Sequence, residues 1–266
     1  MTMNARLVNA PWLLRFLRWA IVLNLLVMLA GSVVRMTGSG MGCPDWPKCF
    51  GSVVPPTSVE QLPENYQEIY LQKRLAKNDR FVATLSKLGF KETANQLAND
   101  KSIQIEEEFN ATKTRIEYIN RLIGVVIGLL ILATLVKSVS LWSQDKWITI
   151  TAFISLVLVA FTGWIGSIVV STNLLAWMIT VHMLLALALV AVLLYSHRRA
   201  ARLLATNQIT SPMPKKVFGL LLAGSILMLI QVVLGTQVRE GIDRVSFAMG
   251  NMLREEWVEK VGLVFL

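Results

Sequence analysis

WITITAFISLVLVAFTGWIGSIVVSTNLLAWMITVHMLLALALVAVLLYS, from Trp147 to Ser196, runs fifty residues without an Asp, Glu, Lys or Arg. A helix rises ~1.5 Å per residue, so crossing a hydrocarbon core of ~30 Å takes about 20 residues. The stretch therefore holds two crossings, near 148–170 and 175–196, with Ser171-Thr172-Asn173 as the turn between them. No soluble core helix needs such a run, so the chain is read as an all-α integral membrane protein. Its composition agrees: of 266 residues 54% are hydrophobic and 16% charged. The mean hydropathy is +0.55. Disorder, collagen and small disulfide scaffolds are excluded.

Three further segments are long and apolar enough to cross. The first covers about 17–36, with Trp12 to Arg18 as an interfacial lead-in; the second covers about 118–138, with Arg121 in its first turn; the fifth covers about 217–238. Val261 to Leu266 reads as the opening of a sixth span, which leads us to expect a truncated sequence. Lys and Arg collect on cytoplasmic loops. Arg6, Arg15 and Arg18, then Lys137 and Lys146, then Arg198, Arg199, Arg202, Lys215 and Lys216 mark one side. The N-terminus is therefore expected in the cytoplasm, with segment 36–116 on the outer side. The net charge of +9 is a topology signal, and no nucleic-acid partner is inferred. Small residues near Met28 to Ser32 resemble a signal-peptide cleavage site, but the apolar run continues past them, so the first span is kept. Within the outer segment, Glu64 to Lys77 and Asp79 to Leu97 carry apolar residues at helical spacing. They predict a helical hairpin in an insertion over 55–110, with Asp79 as N-cap and Gly89 as a break.

Gly31-Ser-Val-Val-Arg35 closes the first span and Gly235-Thr-Gln-Val-Arg239 the fifth, 204 residues apart. Internal duplication is common in membrane folds. We therefore expect a first four-helix transmembrane bundle over 1–196, and a second, incomplete pseudo-symmetric bundle opened by the fifth helix within 217–266. Eight spans would complete the pair. Two ionisable side chains stand where burial is costly, Glu117 and His182. His182 lies roughly 10 Å below the outer surface at ~1.5 Å per residue, and Asn120 shares a helix face with Glu117. A His facing a carboxylate near the outer mouth of a bundle suits heme ligation or proton transfer. Equally, Glu117 can be a first-turn carboxylate paired with Arg121, and His182 a helix-packing imidazole. His197 lies beside Arg198 and Arg199 and reads as a headgroup-facing residue. Cys43 and Cys49, the only cysteines, fall in Gly-Cys-Pro-Asp-Trp-Pro-Lys-Cys-Phe50 on the outer side. They are read as a disulfide clip, with a redox-active pair as the alternative. Zinc has no further thiol or imidazole nearby.

Residues Thr37 to Gly51 resemble the first outer loop of heme A synthases. Glu117-Tyr-Ile-Asn-Arg121 resembles the E-Y-I-H-R motif that opens their second helix, Thr180-Val-His182 their T-L-H motif, and Leu234 to Glu240 the start of their second half. The resemblance covers the chain outside 55–110. It implies two four-helix bundles related by pseudo-twofold symmetry, and oxidation of the C8 methyl of heme O to a formyl group, giving heme A for terminal oxidase assembly. It implies that Glu117 is the catalytic or cation-stabilising carboxylate and that His182 is an axial ligand of the heme iron. Asn120, Arg121 and Arg35 join His182 as heme- or substrate-binding residues. Asn120 stands where the family usually has His, which implies an iron that is five-coordinate or ligated weakly by another group. The family's heme b cofactor lies between two His residues of the second half, beyond this sequence.

The reading is thus an enzyme, a membrane oxidoreductase acting on heme O, with this chain alone expected to be incomplete. The alternative is a non-catalytic heme-binding or oxidase-assembly membrane protein. A thiol oxidoreductase would carry a second outer cysteine pair, which this chain lacks. Expected partners are heme O, membrane lipid, a heme O synthase and a second copy of the chain. The residues identify no electron acceptor.

Overall fold

The structure is a computed structural model and describes residues 11–99, 108–204 and 214–248, without the side chains of 204, 239, 240 and 243–248. The apolar segment 261–266 and Arg6 lie outside the described residues. Among the described residues seven α-helices follow in order: α1 Pro11–Met36, α2 Tyr66–Lys87, α3 Lys91–Ala98, α4 Ala111–Ser138, α5 Lys146–Ser171, α6 Ala176–Leu204 and α7 Lys215–Ala248. The described residues contain no β-strand, only an isolated bridge between Cys49 and Ser52. Five helices, α1 and α4 to α7, are long and apolar enough to cross a membrane. No more than 28% of the best crossing window of any of them is buried. Leu25 and Leu29 on α1, Val125 and Leu129 on α4, and Phe161 and Trp164 on α5 all face outward. An apolar exterior of this extent is stable only in lipid. The multi-pass membrane reading therefore stands.

The chain divides into two compact units. One comprises 1–174 with 185–208; the other comprises 175–184 with 209–266. In the first, α1 packs along α4, and α4 along α5. Leu13, Leu17 and Ala20 of α1 meet Ile127 and Ile131 of α4, Ile148 of α5, and Leu189 and Leu193 of α6 in one buried cluster. Polar groups fasten this core. Asn24 Nδ2 donates to the Ala186 carbonyl at 3.2 Å. Asp145 caps α5 by accepting from Trp147 N at 3.0 Å, and its two oxygens take Arg199 of α6 at 2.6 and 2.9 Å. Such a bidentate pair fixes both distance and angle between helix ends. In the second unit, Thr180 of α6 and Thr236 of α7 share a hydroxyl hydrogen bond of 2.6 Å.

Several predicted boundaries move. The lead-in before the first span is already helix, because Leu13 and Leu17 belong to the core. The second crossing helix begins at Ala111, where the Asn110 side chain accepts from Thr112 N and Lys113 N at 3.0 and 3.1 Å. Asp79 is not an N-cap: α2 runs unbroken through it, since Arg74, Asn78 and Leu85 bury one continuous face. An Asn-Asp pair costs a helix interior less than ~1 kcal/mol each, and packing outweighs that. The break falls at Gly89, with φ +93°, so the hairpin is α2 with the short α3. Finally, Gly31 to Arg35 does close its helix, whereas Gly235 to Arg239 lies inside α7, which continues to Ala248. The apolar span stops at Val238, but the helix carries on as a polar extension.

Candidate functional site

Three residues of α4 at i, i+3 and i+7 face one way: Thr114, Glu117 and Arg121. Each holds part of the loop that follows α1. The Thr114 hydroxyl donates to the Gly42 carbonyl at 2.8 Å. Glu117 Oε2 accepts from Cys43 N at 2.8 Å, and its Oε1 pairs with Arg121. The Arg121 guanidinium also donates to the carbonyls of Asp45 at 2.5 Å, Lys48 at 3.1 Å and Cys43 at 2.9 Å. Glu117 is buried, its side chain 5% exposed, against 13% for Arg121. A buried carboxylate is tolerated only when its oxygens are paired, and here both are. The arrangement requires glycine at 42: a Cβ there would stand 2.6 Å from the Lys113 backbone.

The loop itself is closed by the Cys43–Cys49 disulfide, with Cα atoms 4.9 Å apart. Both cysteines are fully buried. Within it Asp45 Oδ2 accepts from Gly51 N at 2.8 Å. Phe50, at positive φ, stacks edge-on against Tyr66 and Tyr70 of α2 and against Phe109. The insertion is thereby bound to the cysteine loop. Burial, and then the charge of Asp45, push the Tyr70 phenol above its ordinary range.

The structure thus brings together Glu117, Arg121, Cys43 and Cys49. Asn120 lies half-buried on the same helix, its buried Oδ1 unpartnered and 3.9 Å from the position of a Cβ on Gly31 of α1. Arg35 is half-buried in the last turn of α1. His182 is half-buried on α6, two residues after Thr180, and belongs to the unit that contains α7. His197 is on the same helix fifteen residues on, so roughly 22 Å separates the two along its axis. One iron cannot be held between them. Among the described residues no three His, Cys, Asp or Glu side chains gather as a metal site. The roles of Thr114 and Gly42 were not read from the sequence. The i, i+3, i+7 spacing of Thr114 with Glu117 and Arg121 is the signal that could have found them.

Fold and site together define a class: a multi-pass, all-helical membrane protein with a disulfide-closed loop pinned by a buried Glu–Arg pair. The chain belongs to the cytochrome oxidase assembly protein family (COX15-CtaA), whose model matches residues 14–81 and 90–264. It is similar to a protein named heme A synthase in Shewanella oneidensis, 29% identical over 198 residues, which is 74% of this chain and 48% of that one. It is likewise similar to proteins of that name in Bartonella quintana and Bartonella henselae, 29% and 26% identical over 148 residues, 55% of this chain and 34% of theirs. The chain therefore spans about half the length, or less, of the curated relatives it matches. No solved structure matches it.

Proposed function

We propose that the chain acts in heme A synthesis, binding heme O and oxidising its C8 methyl group to a formyl group for a terminal oxidase. One observation carries this reading. The motif carboxylate Glu117 is buried and held fast at the head of α4, in a chain whose family relatives are named heme A synthase. Methyl to formyl is a four-electron oxidation that takes one oxygen from water and releases four protons, with the electrons passing to an external acceptor, and positive charge develops beside the oxidised carbon. A carboxylate fixed by Arg121 and Cys43 N stabilises that charge without having to reorganise. With a small shift away from Arg121 it also accepts a proton. His182 offers the imidazole for the iron of the substrate. Asn120 offers a neutral amide, a poor iron ligand. The two histidines do not suit a heme b held between paired imidazoles, so no step is assigned to that cofactor.

In the same proposal, 1–196 forms the substrate bundle and α7 opens a second. The cysteine loop faces outward from a bacterial cell membrane, and a heme O synthase hands over the substrate. A self-associated form is compatible with it. The test is to give heme O and a soluble chemical electron acceptor to the purified protein and analyse the extracted hemes by mass spectrometry. Wild type should yield the hydroxylated intermediate or heme A. Glu117→Gln should keep its heme but accumulate heme O. Wild-type turnover by Glu117→Gln would remove the assigned role.

A second reading is favoured by the complete pairing of Glu117 and by Asn120: a heme-holding assembly protein without turnover. It predicts that heme O is retained and recovered unchanged.

A further inference from the structure

A cavity of about 260 Å³ opens between α2, the cysteine loop and the end of α5. Its walls include Lys73, Arg74 and Lys77 of the insertion, Asp45 and Trp46 of the loop, and Ser167 of α5. Three cations thus face a space with one carboxylate. Arg74 is buried, which is unusual for a charged side chain. Lys77 reaches the Ser167 carbonyl at 3.2 Å, and Lys73 lies over the Tyr70 ring. The Asp45 carboxylate is hydrogen-bonded through Oδ2, while its buried Oδ1 has no hydrogen-bond partner. A ligand that completes this site carries an oxyanion for the cations and an N–H or O–H for Asp45.

The place in the fold says which ligand. Ser167 lies in the last turns of α5, a crossing helix. On that helix Phe161 and Trp164 point outward, and Trp46 lies against Gly163. Tryptophan at the end of a crossing helix marks the headgroup level of a bilayer, and basic pockets at that level hold lipid phosphates.

We propose that this cavity is a phospholipid headgroup site, in which Lys73, Arg74 and Lys77 hold the phosphate and Asp45 Oδ1 accepts a hydrogen bond from a headgroup amine or hydroxyl. The site does not depend on heme chemistry, and it gives the insertion a role: α2 is clamped to the membrane surface beside the loop that Arg121 pins. Burial, then the charge of Arg121, hold Lys77 below the ordinary lysine range. A bound phosphate offsets both by setting an opposite charge beside the ammonium.

The experiment is native mass spectrometry of the full chain, delipidated in detergent and then offered one lipid at a time. The probes are phosphatidylethanolamine, phosphatidylcholine and diacylglycerol with the same acyl chains. Phosphatidylethanolamine should be retained most, phosphatidylcholine less because its headgroup has no N–H, and diacylglycerol least. Lys73→Gln/Lys77→Gln should lose about a hundredfold in retention, roughly tenfold for each of the two charge-assisted hydrogen bonds. Lys73→Arg/Lys77→Arg should restore it, which separates lost binding from lost folding. Asp45→Asn should erase the preference for phosphatidylethanolamine over phosphatidylcholine. Equal retention of diacylglycerol, or undiminished retention in the double glutamine variant, overturns the proposal. So does displacement of the lipid by millimolar inorganic phosphate, which would mark a free-anion site.

Discussion

Both oxygens of Glu117 are occupied, one by Arg121 and the other by Cys43 N, so the residue ties α4 to the cysteine loop whatever else it does. Removing one partner of a buried ion pair strands the other charge, at a cost on the order of 3 kcal/mol. Glu117→Ala should therefore lower stability by about that much and release residues 42–49 to hydrogen exchange. Glu117→Gln keeps one acceptor oxygen but sets an amide NH2 against the other donor and removes the charge, so it should cost about 2 kcal/mol. If Gln is as stable as wild type, charge pairing is not what holds the loop. Gly42→Ala should be worse than either, because the added methyl meets helix backbone, which cannot move aside as a flexible side chain can. The cysteines are separable from this. They close a short loop, and in a chain-entropy account their bond stabilises the fold by about 2 kcal/mol. Cys43→Ser/Cys49→Ser should show that loss in denaturation while heme O conversion remains measurable. Abolished conversion in a folded double variant would favour the redox alternative. Asn120→His places an imidazole where an amide now leaves a buried oxygen unpartnered. Under the proposed function it should shift the bound heme toward a six-coordinate low-spin spectrum, and an unchanged spectrum would place Asn120 away from the iron.

Among the elements, the insertion depends most on packing. α2 is long because Tyr70, Arg74, Asn78 and Leu85 bury one face of it, and it ends where Gly89 takes up a positive φ. An alanine there meets no neighbour but is forced into left-handed backbone. Gly89→Ala should cost about 1 kcal/mol and loosen α3 selectively in hydrogen exchange. Lys77 gives α2 a pH signature. Its folded-state pKa lies below the ordinary 10.5, so the unfolded chain binds the proton more tightly. Stability should then rise with pH through the alkaline range up to 10.5 and level off above it. Lys77→Met should flatten that rise in thermal denaturation. An identical pH profile in the variant would mean that Lys77 is hydrated.

At the scale of the whole molecule, topology carries the site assignment. Under the proposed function, the Lys and Arg asymmetry should put α2 outside and the turn between α4 and α5 inside. Ser86 and Ser140 are both exposed. In intact cells an impermeant thiol reagent should label Ser86→Cys and miss Ser140→Cys until the membrane is opened. The reverse pattern would turn the cysteine loop toward the cytoplasm and end the proposal as stated.

The five spans were legible because a bilayer demands a fixed length of apolar helix, a local property that a window of sequence contains in full. The cysteine loop and the Glu117-to-Arg121 motif were legible because they are contiguous. Their joint purpose was not. Arg121 reaches carbonyls more than seventy residues away, and nothing in either segment states that they meet. The Asp145–Arg199 pair and the Asn24 bond to Ala186 likewise join residues that only helix packing brings together. Asp79 misled for the same reason: a local capping preference yielded to a face buried by neighbours distant in sequence. The sequence alone determined what must lie in lipid, since transfer from water depends on each side chain and its near neighbours. Which polar groups pair in that low dielectric was decided by tertiary structure, because there an unpaired group is too costly to leave and its partner comes from another helix.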